Sequence, residues 1–346
     1  PNEYVELIKV VGRRFKKEGI STRLYMPEHV SSFVDDISQY FAAVKADPEA
    51  DKYCSIFAIH GYGSDGITPG QPKFEEWERY RDSSRTGPNP KEVWMSETHI
   101  EYSSFDNALS LAGAIYGALE YGNASLWTQW AFEGPFVSQG KPTGMLYSMA
   151  NFARFIKPGD SRIQTVSENN DVLATSFINP KKTTLTMVLI NKGDLPVTIK
   201  IAGQNLANDW VMYNTAENRN LEEVKNARNG FFLLPPKSVS TIVNKSFGKK
   251  TNSTADSLML ETSGEDSSTT NWKVYPNPAR ALFYAEGGSH RGAVLELVDV
   301  SGSVKLKTNL SPGTNAISTA HLRQGVYMVK IYDGDQVSVR KIIIRD

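Results

Sequence analysis

The 346-residue sequence contains a single cysteine, Cys54. One thiol excludes an internal disulfide, and no cysteine–histidine metal spacing can be built around it. No run of about 18 apolar residues occurs, which excludes a bilayer-spanning helix. Neither sign of charge is in excess, since 38 Lys and Arg balance 38 Asp and Glu. That balance argues against a broadly basic nucleic-acid binder, whose affinity comes from neutralised phosphates, and against a polybasic membrane-surface protein. The chain opens on Pro1, with no charged segment followed by an apolar one, so it reads as a fragment or a processed form. What is present is enough to fold: hydrophobic residues make up 40% and aromatics 10%. The length allows two or three domains.

Residues 1–158 alternate helical and strand patterns. Tyr4, Leu7, Ile8, Val11 and Phe15 form one apolar stripe, predicting a helix from Asn2 to Glu18 that stops at Gly19. Pro1 reads as a helix start whose cap is lost. A strand is expected over Thr22–Glu28 and a helix over Ser31–Lys45. Apolar strands follow at Ser55–Gly61, Glu92–Glu97 and Ala124–Ala131. Helices are expected at Ser104–Tyr121 and Thr143–Ile156. Strands alternating with helices predict a parallel sheet of βα units. Four strands in about 158 residues make roughly half of a (β/α)8 barrel, which needs about 250 residues.

From Ser161 the helical patterns cease. Runs such as LATSFIN, TLTMVLIN and VTIKIAG, parted by Asn, Gly, Asp and Pro, predict an antiparallel β-sandwich over 159–245. Residues 246–271 read as a linker, because 11 of these 26 residues are Ser or Thr. Residues 272–346 return to short strands (WKVYPNP, AVLELVDVSG, GVYMVKIYDG, VRKIIIRD) and predict a second, small β-sandwich.

Parallel barrels carry their active sites at the C-terminal ends of the strands. There the sequence places Glu28 and His29, His60 and Tyr62, Glu97 and His99, and Trp127, Trp130 and Glu133. Carboxylates beside aromatic platforms suit sugar chemistry, in which one carboxylate attacks and a carboxylic acid donates a proton. Indole faces stack on pyranose rings. Taken singly, Glu28 and Glu133 read as solvated loop residues, and His29 and His99 as surface or supporting residues. Trp127 is as consistent with core as with a platform. Glu97 stands apart. Ending an apolar strand on an ionised carboxylate is costly unless the group is paired or functional, and His60 and Tyr62 can supply hydrogen bonds to it. Strict alternation puts Val93, Met95 and Glu97 on one face of the strand.

EVWMSET, the Ala/Gly-rich helix, LWTQW and GMLYSMANFARFIKPGDSRIQ together resemble the C-terminal half of glycoside hydrolase family 30, retaining β-glycosidases of the (β/α)8 clan. The sandwich, ending LPPKSVSTIV, resembles the domain attached to that barrel, and the resemblance covers about residues 1–245. It implies that Glu97 is the nucleophile, that His60 and Tyr62 sit beside it, and that Trp130, with Trp127 as a further candidate, binds substrate. The family's acid/base is the Glu of an Asn-Glu-Pro motif, which this chain lacks. Asn2-Glu3 follows a proline and opens a helix, so the proton donor is expected upstream. Glucuronoxylan-specific members use an Arg in the loop after the last strand. Here Ala131–Pro142 holds no Arg, only Lys141, with Glu133 repelling an anion. Xylan without a glucuronate requirement, or another plant β-glycan, is therefore expected, with no metal or organic cofactor.

VYPNPA, LVDVSG, LRQGVYMVKI and the terminal VRKIIIRD resemble the C-terminal sorting domain of type IX secretion. The resemblance implies the secretion machinery as a partner and a secreted or surface-attached protein of a Gram-negative bacterium. Arg340, Lys341 and Arg345 are then contacts of that machinery, or charges protecting an edge strand. Asp256-Ser257-Leu258 resembles an O-glycosylation signal. Two other readings stand: Glu28 or Glu133 as proton donor within this chain, or a non-catalytic glycan-binding or inactive truncated surface protein.

Overall fold

The structure, a computed structural model, describes residues 1–30, 37–62, 74–100, 104–207, 209–224, 230–248, 258–262, 272–287, 292–299, 303–333 and 336–345. The chain divides into two compact units, Pro1–Arg154 and Phe155–Asp346.

The first unit begins with helix α1 (Asn2–Glu18), as the stripe predicts. Gly19 ends it in the left-handed region at φ 66°, where a Cβ is unfavourable, and its N–H closes back on the Lys16 carbonyl. Strand β1 (Leu24–Val30) follows, two residues later than the pattern suggests. The expected helix over 31–45 is observed only as α2 (Ser38–Ala46), its first part lying outside the described residues. Asp47 then caps a short helix α3 (Pro48–Tyr53), its carboxylate accepting from the N–H groups of Glu49 and Ala50 at 2.9 Å each. Gly12 lets α1 lie against α3: a Cβ there would stand 2.3 Å from the Tyr53 ring. Strand β2 (Cys54–His60), helix α4 (Phe74–Arg85), strand β3 (Glu92–Glu97), helix α5 (Phe105–Glu120) and strand β4 (Ala124–Trp127) complete the alternation. A short hairpin, β5 (Val137–Ser138) and β6 (Lys141–Pro142), leads to helix α6 (Gly144–Ala153).

The four long strands form one parallel sheet in the order β1-β2-β3-β4. Alternate residues of its strands, Phe57 and Ile59, Val93 and Met95, pack with Val5, Ile8, Phe41, Val44, Trp77, Tyr80 and Ala118 of the helices into one apolar cluster. A buried ion cluster supports the loop into β3. Lys91 Nζ lies 2.9 Å from Asp51 Oδ1, Lys45 Nζ lies 3.5 Å from it, and Asn89 donates to Asp51 Oδ2 at 2.6 Å. Burial raises the Asp51 pKa. The Asn89 and Lys91 hydrogen bonds and the two ammonium charges outweigh it, holding the carboxyl below its ordinary range.

In the second unit, β7 (Ser161–Ile163), β8 (Thr165–Ser167), β9 (Val172–Ile178), β10 (Leu185–Asn191), β11 (Val197–Ala202), β12 (Trp210–Ala216), β13 (Arg219–Val224), β14 (Phe231–Leu234) and β15 (Ser238–Asn244) build the sandwich. One sheet runs β13-β12-β15-β10-β9-β7. The other runs β14-β11-β16-β8 and takes its third strand, β16 (Leu258–Thr262), from the stretch expected to be linker. β16 pairs antiparallel to β11 and parallel to β8. Met187, Leu189, Met212 and Ile242 of the first sheet meet Ile199, Ile201, Phe232 and Leu234 of the second. The last part has its own core of Trp272, Phe283, Leu295, Leu297, Val329, Ile331 and Ile342. It is built on β17 (Lys273–Tyr275), β18 (Leu282–Gly287), β19 (Ala293–Asp299), β20 (Val304–Leu310), β21 (Gly313–Ser318), β22 (Gly325–Asp333) and β23 (Gln336–Ile344). These form sheets β17-β18-β21 and β20-β19-β22-β23. Trp272 is buried there and donates to Asp333 Oδ2 at 3.0 Å, so it is a core residue.

Removing one partner of the buried cluster leaves an uncompensated charge. Lys91→Met is expected to lower the stability of the first unit by about 3–5 kcal/mol in urea unfolding. The depressed Asp51 carboxyl contributes stability that is complete above the ordinary carboxylate range and falls away as pH drops through its folded value. The same denaturation series below about pH 4 should therefore show the wild type losing stability more steeply than an Asp51→Asn variant.

Candidate active site

β2 and β3 end side by side, and their register is not regular. Ile59 pairs with Met95, and the next pair is His60 with Glu97, so Ser96 is an extra residue on β3. A bulge of one residue reverses the face on which the following side chain points. Glu97 thereby leaves the face of Val93 and Met95, which belongs to the apolar cluster, and joins that of His60. The alternation expected from VWMSE thus holds to Met95 and breaks at Ser96. The irregular backbone is held by hydrogen bonds. Gly61 N–H donates to the Glu97 carbonyl at 2.8 Å, and the Ser96 hydroxyl donates to the Ile59 carbonyl at 3.3 Å. The Thr128 hydroxyl bridges the carbonyls of Met95 and Ser96. β4 stops at Trp127 rather than running to Ala131, although Thr128 N–H still donates to the Met95 carbonyl at 3.0 Å.

β1 carries the same device. Pro27 pairs with Ala58 and His29 with Ile59, leaving Glu28 as the extra residue, at φ 60°. A non-glycine residue in that region costs about 1–3 kcal/mol and persists only where its surroundings hold it. Tyr4 of α1 donates to the Pro27 carbonyl at 2.8 Å beside it. Burial, then the Glu28 charge, pushes the Tyr4 hydroxyl above its ordinary pKa.

The two bulges place three groups in a row. His60 Nε2 lies 3.1 Å from Glu28 Oε2, and His60 Nδ1 lies 3.5 Å from Glu97 Oε1. Tyr62 donates its hydroxyl to the same Glu97 oxygen at 3.1 Å. The His60 and Glu97 side chains are 16% and 21% exposed, so the carboxylate is partly shielded yet reachable. Such a group can act as a nucleophile or a base, because donors hold one oxygen and solvent still reaches the carboxyl.

Of the residues singled out from sequence, the structure brings together Glu97, His60 and Tyr62. Glu28, weighed there as a solvated strand end, joins them, and nothing in its local pattern announces the bulge. Thr128 carries no sequence signal for its role. Trp127 pairs with Met95 and packs against the helix-side cluster. Trp130 is 66% exposed, and its backbone N–H donates to the Thr98 carbonyl at 2.7 Å, one residue past Glu97. Glu133 is exposed on the following loop. His99 meets the Gln129 amide, and His29 lies beside the Tyr40 ring. Asp256 and Ser257 lie outside the described residues. Among the described residues, no group of three or more His, Cys, Asp and Glu side chains has the arrangement of a metal site.

Three variants test this anatomy. Trp127→Ala should cost about 2–4 kcal/mol of stability as a packed residue, whereas Trp130→Ala should stay within about 0.5 kcal/mol. Thr128→Val should cost about 1–2 kcal/mol by freeing the bulge carbonyls. Urea unfolding reads all three.

Residues 159–242 match the glycosyl hydrolase family 30 beta sandwich domain, and residues 273–345 match the secretion system C-terminal sorting domain. The chain is 27% identical over 252 residues to the glucuronoxylanase XynC of Bacillus subtilis, covering 67% of this chain and 55% of that protein. It is 25% identical over 231 residues to the putative glucosylceramidase 1 of Caenorhabditis elegans, covering 60% and 40%. The chain thus spans about half the length of the curated relatives it matches. Among solved structures, the family 30 subfamily 8 xylanase Xyn30A of Clostridium acetobutylicum superposes with TM-score 0.56 at 22% identity, over 70% of this chain and 60% of that one. A family 30 endoxylanase of Clostridium papyrosolvens gives 0.53 at 20% identity, over 71% of each. The chain therefore carries a glycosyl hydrolase family 30 beta sandwich domain and a secretion system C-terminal sorting domain, and over most of its length it shares the fold of family 30 xylanases.

Proposed function

We propose that this chain is the C-terminal part of an exported retaining glycoside hydrolase acting on a xylan-type polysaccharide, with Glu97 as nucleophile. The observation that carries the reading is Glu97 itself: a carboxylate at the C-terminal end of a parallel strand, turned by a bulge onto His60 and Tyr62. The strand order supports the four strands as half of a (β/α)8 barrel. It runs β1 to β4 without the reversal that a doubly wound sheet has.

In the reaction we assign, a Glu97 oxygen attacks the anomeric carbon. The glycosidic bond breaks, and its oxygen leaves with a proton from a second carboxylic acid, giving a glycosyl-enzyme. The same second residue then takes a proton from water, which attacks the anomeric carbon and releases Glu97. Tyr62 and His60 both address Oε1, so Oε2 is the attacking atom. The second carboxylate stands about 5–5.5 Å from the nucleophile in such enzymes, and we place it on barrel strands outside this chain. Trp130, whose backbone N–H meets the Thr98 carbonyl one residue past Glu97, supplies an exposed indole suited to stacking on a sugar ring. The sorting domain supports export by type IX secretion, to the medium or the cell surface.

The relatives named glucuronoxylanase make xylan the first substrate to test. In the loop 131–142 Lys141 is the sole base, exposed and without the bidentate fork of an Arg. Stripping glucuronate from xylan should therefore change kcat/KM by less than about tenfold.

Glu97→Gln, in the protein carrying its proton donor, should abolish turnover of an aryl β-xyloside or xylan while substrate binding persists. Activity within about tenfold of wild type would sink the assignment. Tyr62→Phe removes one hydrogen bond to a charged oxygen and should lower kcat about tenfold to a hundredfold.

A further inference from the structure

One member of the cluster has no part in the chemistry above. Glu28 is the bulged residue of β1, at φ 60°, and its carboxylate meets His60 while the side chain stays 34% exposed. Its Oε1 is buried and accepts no hydrogen bond among the described residues, so His60 is its polar partner there. His60 stands between two carboxylates, with Nε2 at 3.1 Å from Glu28 and Nδ1 at 3.5 Å from Glu97. A neutral imidazole has one N–H and one lone pair. With the hydrogen on Nε2, the Nδ1 lone pair faces Glu97; with it on Nδ1, the Nε2 lone pair faces Glu28. A hydrogen on each nitrogen satisfies both carboxylates. Among the described residues, the other titratable groups facing this row are phenols: Tyr62, edge-on to the imidazole at 6.4 Å between ring centres, and Tyr4 of α1, beside Glu28.

We propose that Glu28 is a positioning residue that holds His60 doubly protonated and oriented, so that a fixed positive charge faces the Glu97 carboxylate. This rests on the reading of Glu97 as nucleophile for its purpose, but not for its geometry. The proton stays on His60 throughout. Its charge favours ionised Glu97 in the free enzyme and again when Glu97 leaves the glycosyl-enzyme. That interaction is weaker while Glu97 is esterified to sugar, so the charge acts where the carboxylate departs.

The test uses the full chain labelled with 15N-histidine at pH 7, with the ring-nitrogen spectrum read directly. The sequence has five histidines, and the His60 signals are those missing from His60→Asn. The expected wild-type result is hydrogens on both ring nitrogens of His60. In Glu28→Gln the same spectrum should show a single protonated nitrogen, with the circular dichroism of the wild type. A singly protonated His60 in the wild type overturns the proposal. So does a His60 spectrum unchanged in folded Glu28→Gln. Should that variant not fold, the wild-type spectrum alone decides, and Glu28→Asp, which keeps the charge, should preserve the doubly protonated ring. Failure of the glycosidase reading would look different. In the protein carrying its proton donor, an activated 2-fluoro-xyloside would then leave Glu97 unlabelled, with the His60 spectrum of this chain as expected.

Discussion

A carboxylate at the end of a buried strand has to be compensated, and around β3 much of the local structure follows from that requirement. Had the strand kept its period of two, Glu97 would project with Val93 and Met95 among Phe41, Trp77 and the helix side chains. An unpaired charge there costs far more than any single packing contact returns. One additional residue, Ser96, moves it to the opposite face, where a phenol and an imidazole await it. The insertion leaves irregular carbonyls, and these in turn fix the surroundings. Thr128, just past the end of β4 at Trp127, reaches the Met95 and Ser96 carbonyls with its hydroxyl. Gly61 must approach the Glu97 carbonyl, so the chain after β2 is tied to β3 before it departs.

The same parity separates two tryptophans three residues apart. Trp127 is the register partner of Met95 and therefore faces the helices. Trp130 lies beyond the strand, where alternation no longer applies, and its ring is exposed while its backbone is pinned to Thr98. Composition treats these indoles alike. Their different surroundings come from where the ladder stops.

Much of the architecture is legible where a residue pattern is strong. The stripe of α1 and its glycine stop, the apolar run of β3 and the small-residue face of α5 are read from sequence almost to the residue. Helix α4 is missed because FEEWERYRDSSR is mostly polar and buries only Trp77, Tyr80 and Ser84. Strand β16 is missed because it sits in a Ser/Thr-rich tract, and it is the backbone ladder to β11 and β8 that defines it. In the site, the residue types and their strand ends are legible, and Glu97, His60 and Tyr62 follow. The bulges are not. A register shift is a property of two strands together, so neither Ser96 nor Glu28 differs from its neighbours in any one-dimensional pattern.

The C-terminal domain obeys a different constraint. A sorting module has to be recognised whatever precedes it, which requires a fold that does not borrow its core. The cluster around Phe283, Leu295, Val329 and Ile342 is drawn entirely from residues after 271. Trp272 closes it at the first described residue of the domain, through its bond to Asp333 at the end of β22. The final strand, β23, is the edge of its sheet and carries Arg340 and Lys341. Two cations on a nine-residue edge oppose indiscriminate strand addition by like chains. Part of that edge is also covered from within the domain: Ala279 N–H donates to the Ile343 carbonyl at 2.8 Å, and the Asn277 amide donates to the Lys341 carbonyl at 2.8 Å. Edge protection thus rests on two devices at once, the charge carried by the strand and the segment laid along its end.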